Sequence, residues 1–347
     1  MEKIRVNLEK PYSIHITRED SLWPLEEIVG AGPAIILTTS RVARYALPFL
    51  KKKLGKLPVL TLPDGEKYKN LATVAKAYRG LVRLKADRAT RLILLGGGVL
   101  GDLGGFVAAT YLRGIPFVQI PTTLVGQVDS SIGGKVGVDL IEGKNLVGAF
   151  RQPEAVLAHI PFLKTLPLRD IIGGLGEVLK YGVIEDPSLF QLVRTEKEKI
   201  IKRDPSTLFE IVRRSAAIKA RVVSLDEKES GLRMILNFGH TFGHAIERLT
   251  RYRKFHHGEA VGIGMVIAAR ISHQLGFCSK EEAETVREGV LATGLPVEIP
   301  LFPRSAWLSA IEVDKKTRGG MIHFVLMKKI GEVVTEPIAP KELVKFL

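Results

Sequence analysis

Leu92-Ile93-Leu94-Leu95-Gly96-Gly97-Gly98-Val99-Leu100-Gly101-Asp102 is the stretch whose reading decides the fold. The apolar run 92–95 reads as a buried strand, the glycines as a tight turn, and the residues after them as the opening of a helix. Gly96, Gly98 and Gly101 satisfy the G-x-G-x-x-G spacing that lets a backbone approach a pyrophosphate at a helix N-terminus. The fingerprint is incomplete. It does not sit on the first strand, and Pro121-Thr122-Thr123 stands where an acidic residue would end the next one. Two tight turns that need glycine would read the same way.

Outward from this stretch, short β-rich runs alternate with amphipathic helical patterns. Candidate strands are 5–8, 13–16, 34–38, 58–62, 92–95, 117–120 and 155–158, with helices near 41–54, 70–84 and 102–111. Strands separated by helices predict a parallel α/β sheet, with ligands at the carboxyl ends of its strands. One such end is followed by Pro63-Asp64-Gly65-Glu66-Lys67-Tyr68-Lys69, which supplies acids and cations. From about Pro167 the pattern turns to long helices, near 168–184, 187–203, 205–224, 238–249, 258–275 and 280–293, with a late β-like run at 321–327. The expected division is an α/β domain over 1–166 and a mainly α-helical domain over 167–347.

The second half carries the densest chemistry. Leu236-Asn237-Phe238-Gly239-His240-Thr241-Phe242-Gly243-His244 runs on to His256-His257-Gly258-Glu259, so four of the eight histidines fall within it. His240 and His244 lie four residues apart, on one face of a helix, which is how a helix offers two nitrogen donors to a metal. A third donor from the His256-His257 pair and a carboxylate from elsewhere would complete an open site. A pair of buried histidines on an apolar helix face is the plainer alternative. Gly173-Gly174-Leu175-Gly176-Glu177-Val178-Leu179-Lys180 puts a carboxylate and an ammonium one turn apart in apolar surroundings, which makes Glu177 the candidate carboxylate. Two loops carry weaker signals: Asp129-Ser130-Ser131-Ile132-Gly133-Gly134-Lys135 fails the P-loop pattern at both ends, and Glu142-Gly143-Lys144-Asn145 sets a cation beside an amide. Solvated loops are the default for both.

Composition narrows the function classes. A net charge of +14 fits nucleic acid, a membrane surface or small anionic substrates. Most Lys and Arg alternate with Glu, as in Thr195-Glu196-Lys197-Glu198-Lys199, and no nucleic-acid motif occurs, so small anions are the better fit. Cys278 is the only cysteine, which rules out an internal disulfide and suits a reducing compartment. The longest uncharged apolar run, 260–269, is far below the ~20 residues that span a bilayer. A cytoplasmic location, with no membrane or nucleic-acid partner, is expected.

In order along the chain, PDGEKYK, GGGVLGDLGGF, IPTTL, QVDSSIGGK, GKN, GEVLKYG, LRMILNFGHTFGH and HGE resemble the 3-dehydroquinate synthase family, whose members are sugar phosphate cyclases. The match runs from about Pro63 to Lys316. It implies a Rossmann-like NAD-binding domain, a mainly helical domain, a Zn2+ (or Co2+) ion in the cleft between them, and a homodimer. The implied metal ligands are Glu177, His240 and His257, and His244 moves from ligand to proton transfer at the substrate phosphate. Implied NAD contacts are Asp64, Glu66, Lys69, Gly97, Gly98, Val99, Asp102, Thr122, Thr123, Lys135, Lys144, Phe162 and Thr165. Implied substrate contacts are Asp129, Lys135, Lys144, Asn145, Lys180, Lys219, Arg233 and Asn237, with Glu229 in proton transfer. Arg113 resembles a residue lent across the dimer interface, and Lys315 or Lys316 a late phosphate contact. The implied reaction converts 3-deoxy-D-arabino-heptulosonate 7-phosphate, a phosphorylated carboxylic acid, to 3-dehydroquinate and phosphate in aromatic amino-acid biosynthesis. One departure stands out: Thr38-Thr39-Ser40-Arg41 occupies a loop where many members carry an Asp near the cofactor ribose. Rival expectations are another cyclase, for a substrate without the carboxylate, and a metal-dependent polyol dehydrogenase.

Overall fold

The structure is a computed structural model that describes residues 1–19, 24–30, 32–312, 317–318 and 320–347. Lys315 and Lys316 lie outside the described residues. The chain forms two compact units. The first comprises Met1–Pro167 and Arg203–Lys228, the second Leu168–Lys202 and Glu229–Leu347.

The strands of the first unit are β1 (Glu2–Val6), β2 (Tyr12–Thr17), β3 (Ala34–Thr39), β4 (Val59–Leu62), β5 (Arg91–Gly96), β6 (Phe117–Pro121), β7 (Lys135–Leu140), β8 (Gly143–Phe150) and β9 (Ala155–His159). Seven of them form one sheet in the order β1-β2-β9-β6-β5-β3-β4, parallel throughout except for the antiparallel edge pair β1–β2. Helices α1 (Leu25–Val29), α2 (Ser40–Leu54), α3 (Leu71–Arg83) and α4 (Gly98–Thr110) connect them. Side chains on a strand alternate between faces. Leu92 and Leu94 of β5 join a core with Leu81, Leu103, Phe106 and Phe117, while Ile93 and Leu95 join another with Leu25, Leu50, Val118 and Leu157. Both faces are therefore covered, which is why 92–95 reads as an unbroken apolar run.

Helix starts follow side-chain chemistry. Thr39 accepts from Val42 N at the head of α2, and Asn70 from Thr73 N at the head of α3. At the head of α4, Gly97 caps with an extended backbone and no side chain.

Several sequence expectations need correction. The first strand is Glu2–Val6 rather than 5–8, because Ile4 and Val6 pair with Ile14 and Tyr12 on β2. Of the two expected solvated loops, 129–135 ends on β7 and 142–145 opens β8, so both run into the antiparallel hairpin β7–β8, whose Val136 and Val138 enter the core beside α4. The helix α4 begins at Gly98, four residues before the expected start.

Then follow α5 (Leu168–Ile184), α6 (Pro187–Thr195), α7 (Lys197–Ile201) and α8 (Pro205–Leu225). The expected helix 187–203 is broken at Glu196 into α6 and α7, the first capped by Asp186, whose side chain accepts from Leu189 N. The division at 166/167 also needs amendment. α8 packs on β1 and β2 in the first unit, with Arg18 over the Phe209 ring and Ser224 Oγ accepting from Asn7 N at 2.8 Å. Its apolar face needs a core, and sequence order does not say which.

The second unit continues with α9 (His240–Leu249), α10 (His257–Gln274), α11 (Lys280–Thr293) and α12 (Arg304–Glu312). A small antiparallel sheet follows, β10 (Thr317–Arg318), β11 (Met321–Lys329) and β12 (Glu332–Ile338), and then α13 (Pro340–Leu343). Phe242 of α9 packs edge-on against Trp307 and Phe324, tying α9 to α12 and β11. Among the described residues, no helix is long and apolar enough to cross a membrane.

Candidate metal centre and anion-binding residues

Helices α5, α9 and α10 meet through glycine, and that contact builds the centre. A Cβ added to Gly258 would lie 1.7 Å from Gly173 O, and one added to Gly264 would lie 1.9 Å from Gly239 O. Only glycine permits so close an approach of two backbones. Gly239 adds a second constraint, with φ +79 just before the first residue of α9. The contact brings Glu177 of α5, His240 at the start of α9 and His257 at the start of α10 together, with one donor atom from each inside a 4.8 Å cluster.

Glu177 is fully buried, with Lys180 bound to its Oε2. Its Oε1 has no hydrogen-bond partner. Nε2 of His240 lies 3.4 Å from that oxygen, and Nε2 of His257 lies 3.3 Å from it. A buried carboxylate oxygen left without a hydrogen bond calls for an explanation, and a bound cation is one. The spacing fits. Tetrahedral Zn2+ with bonds of ~2.0–2.1 Å sets its donors about 3.3 Å apart, and three protein ligands leave a coordination position open for substrate.

The electrostatics prepare the donors. Burial would raise the Glu177 pKa, but Lys180 and His240 hold it well below the usual carboxylate range. Burial pushes His240 down to about 4, against the pull of Glu177, so its imidazole is neutral at pH 7. Burial also opposes charge on His257, yet Glu247 and Glu177 outweigh it and push its pKa up to about 10 in the metal-free chain.

His244 lies beside these candidate donors, its ring stacked on His257 at 5.9 Å and perpendicular to His240 at 5.5 Å. The i, i+4 spacing does bring the two rings side by side on α9. A second possible donor set, His244, Glu247 and His257, overlaps the first. Glu247 is the residue the sequence reading missed. It lies seven residues after His240 and three after His244, on the same helix face, and the signal available was an acid in helical register with two histidines. Close by, Glu229 adopts a left-handed backbone, φ +59, and accepts from Asn237 Nδ2 at 2.7 Å. Arg233 is buried.

In the first unit, the charged candidates that pair with one another form two groups. Lys69, 4% exposed, donates to Asp102 Oδ2 and Asn145 Oδ1, both at 2.6 Å, and Lys144 pairs with Glu66 at 3.1 Å. The burial of Asp102 raises its pKa despite Lys69 beside it. Asn145 N donates to Asp139 Oδ1, and Asn145 takes a left-handed φ of +53. The other group joins Lys219 of α8 to Asp129, at 2.7 Å to the carbonyl and 2.8 Å to Oδ1.

Gly97, Gly98 and Val99 lie half-buried at the head of α4, with Thr122 and Thr123 just after β6. The third glycine of the fingerprint serves packing, since a Cβ on Gly101 would lie 2.6 Å from Gln119 Oε1. Thr165 donates to Phe162 O, and the Phe162 ring packs edge-on against His159. Asp64 and Lys135 are exposed, as is Arg113, which has φ +67. Thr39 serves as the cap of α2, with Ser40 and Arg41 exposed on its first turn.

Family models described as 3-dehydroquinate synthase N-terminal and 3-dehydroquinate synthase C-terminal match residues 59–173 and 174–317. The 3-dehydroquinate synthase of Geobacter sp. (strain M21) is 47% identical over 339 residues, covering 95% of this chain and 93% of that protein. Among solved structures, the 2-epi-5-epi-valiolone synthase ValA of Streptomyces hygroscopicus subsp. jinggangensis 5008, with NAD+ and Zn2+ bound, is 27% identical. It superposes with a TM-score of 0.88 over 96% of this chain and 94% of its own. A 2-deoxy-scyllo-inosose synthase complexed with carbaglucose-6-phosphate, NAD+ and Co2+ also gives 0.88, at 25% identity over 99% and 98% of the two chains.

Proposed function

The chain belongs to the 3-dehydroquinate synthase family, and from that premise we propose that it converts 3-deoxy-D-arabino-heptulosonate 7-phosphate to 3-dehydroquinate and phosphate. NAD+ and a Zn2+ or Co2+ ion are its cofactors. The cofactors of the two solved cyclases support this, as does the phosphorylated sugar analogue held by one of them. The structural observation that carries the reading is the partnerless Glu177 Oε1 facing two imidazole nitrogens.

A bound ion would supply Lewis acidity at a substrate hydroxyl, and bound NAD+ would supply a reversible hydride acceptor. The chain's own residues do the rest. Glu177, His240 and His257 hold the ion, and Lys180 occupies Oε2 of Glu177 so that Oε1 stays anionic and available. In the second unit, Asn237 and His244 serve the substrate phosphate and Arg233 its carboxylate by charge-assisted hydrogen bonds; Lys135, Lys144 and Asn145 are the anion-binding candidates of the first unit. Oxidation of one carbon acidifies the neighbouring C–H, and Glu229 and His244 are the groups that move the proton as phosphate leaves. Lys69, Asp102 and Glu66, with the backbone of Gly97, Gly98 and Val99 and with Asp64, Thr122, Thr123, Phe162 and Thr165, serve NAD+.

The Lys219 charge is already met by Asp129, so Lys219 does not call for a substrate carboxylate. Preference for the heptulosonate over a substrate without a carboxylate rests instead on identity, 47% to a 3-dehydroquinate synthase against 25–27% to the two other cyclases. We also propose that the enzyme works as a cytoplasmic homodimer, with Arg113 serving the partner copy.

Removing metal with a chelator should abolish activity, and Zn2+ or Co2+ should restore it. Full turnover by a chain shown to be metal-free would overturn the assignment of the centre.

A further inference from the structure

We propose that Glu247 is a positioning residue for the metal centre: it fixes the ring and tautomer of His257 so that Nε2, not Nδ1, meets the ion. The inference rests on the metal reading above but assigns a residue outside the ligand set. Glu247 is 3% exposed, yet it sits on α9, whose buried face is otherwise built of side chains such as Phe242, Ala245 and Ile246. Its Oε2 lies 3.2 Å from Nδ1 of His257, while Nε2 of the same ring points to Glu177 Oε1 at 3.3 Å. The imidazole is thus held between two carboxylates, one on each nitrogen.

A carboxylate can only accept, so Nδ1 must donate to Glu247, and the Nε2 lone pair is left for the ion. Metal-bound histidines usually carry such a partner on the second nitrogen. His257 needs it more than His240 does. The His240 ring is steadied by the Phe238 carbonyl two residues away, Nδ1 lying 3.2 Å from the oxygen. His257 is the first residue of α10, with no helical turn of its own before it, and its side chain is 38% exposed, with the His244 ring stacked on one face. Without Glu247, the ring could turn or take the other tautomer. The overlapping donor set of His244, Glu247 and His257 gives the competing reading, in which Glu247 binds a second ion directly.

The test measures metal binding rather than turnover. Zn2+ affinity is read by chelator competition, stoichiometry by elemental analysis and ligand geometry by the visible spectrum of the Co2+ form. These are compared in wild type, Glu247→Ala and Glu247→Gln, each first checked for a native circular dichroism spectrum. One ion per wild-type chain is expected. Affinity should fall about 10–100-fold in Glu247→Ala, with an altered Co2+ spectrum. Glu247→Gln should lie between the two, because its amide oxygen still accepts from Nδ1. If Glu247→Ala does not fold, the Gln variant decides alone, and an affinity equal to wild type overturns the proposal. Unchanged affinity in a folded Glu247→Ala overturns it too, as does a stoichiometry falling from two ions to one. A wild type that binds no tight ion would instead overturn the metal reading itself.

Discussion

Gly258→Ala should dismantle the metal centre without altering a single ligand. The added Cβ would stand 1.7 Å from Gly173 O, 2.6 Å from Gly173 C and 3.0 Å from Gly173 Cα. All three atoms are backbone, so no rotamer change relieves the clash. Ordinary contact begins at 3.4 Å, so α5 and α10 must part by about 1.7 Å. Gly258 adjoins His257, and Gly173 lies one helical turn before Glu177. Ligand distances at such a centre tolerate only about 0.2 Å, so two donors now 3.3 Å apart could no longer share an ion.

Overpacking should also cost the metal-free chain about 1–3 kcal/mol, or roughly 2–4 °C in Tm per kcal/mol for a unit of this size. Gly173→Ala is the control from the same contact. A Cβ there meets nothing within 4 Å, so that variant should keep its metal and gain about 0.5–1 kcal/mol from the lost helix glycine. The assays are bound zinc after dialysis and calorimetric unfolding of the apo forms. A Gly258→Ala protein that retains one tight Zn2+ at wild-type Tm would refute the reasoning, as would equal metal loss in Gly173→Ala.

Three further outcomes follow for the same residues. His256→Ala should keep the metal and His257→Ala lose it by elemental analysis, because the imidazole of His256 faces Asp170 instead, at 3.5 Å; the reverse pattern would place the ligand one residue earlier. Zn2+ uptake at pH 7.5 should release about one proton, since His257, pushed up to about 10, must give one up, whereas His240, down at about 4, has none to give. Calorimetric titration in buffers of different ionisation enthalpy counts that proton, and none released would contradict the assignment. In the metal-free chain, the raised His257 pKa adds stability that is complete below its unfolded value near 6.5 and is lost as pH climbs through 10.

The parts of this protein that sequence makes legible are those whose chemistry is local. The run 92–95 is apolar because both sheet faces are covered, and an i, i+4 histidine pair must share a helix face whatever surrounds it. What sequence hides depends on distant partners. The stretches 129–135 and 142–145 look like loops because of their glycines, yet they lead into a hairpin in which Gly137 and Gly148 face each other so closely that a Cβ on either would lie 2.6 or 2.5 Å from the opposite backbone. The apolar face of α8 does not state that its core is the first unit. The register of Glu247 with His240 and His244 is visible in the sequence, but its partner is not, since that is a histidine ten residues on, beyond the turn that ends α9.

The most direct test of the account is to run the reaction on far less NAD+ than substrate while following inorganic phosphate and NADH together. If the hydride is removed only to let phosphate leave and is then returned, each NAD+ should serve many turnovers. Phosphate should then accumulate in step with substrate loss while free NADH stays at baseline. NADH rising in proportion to substrate consumed, with no phosphate released, would contradict the account and make this chain a polyol dehydrogenase.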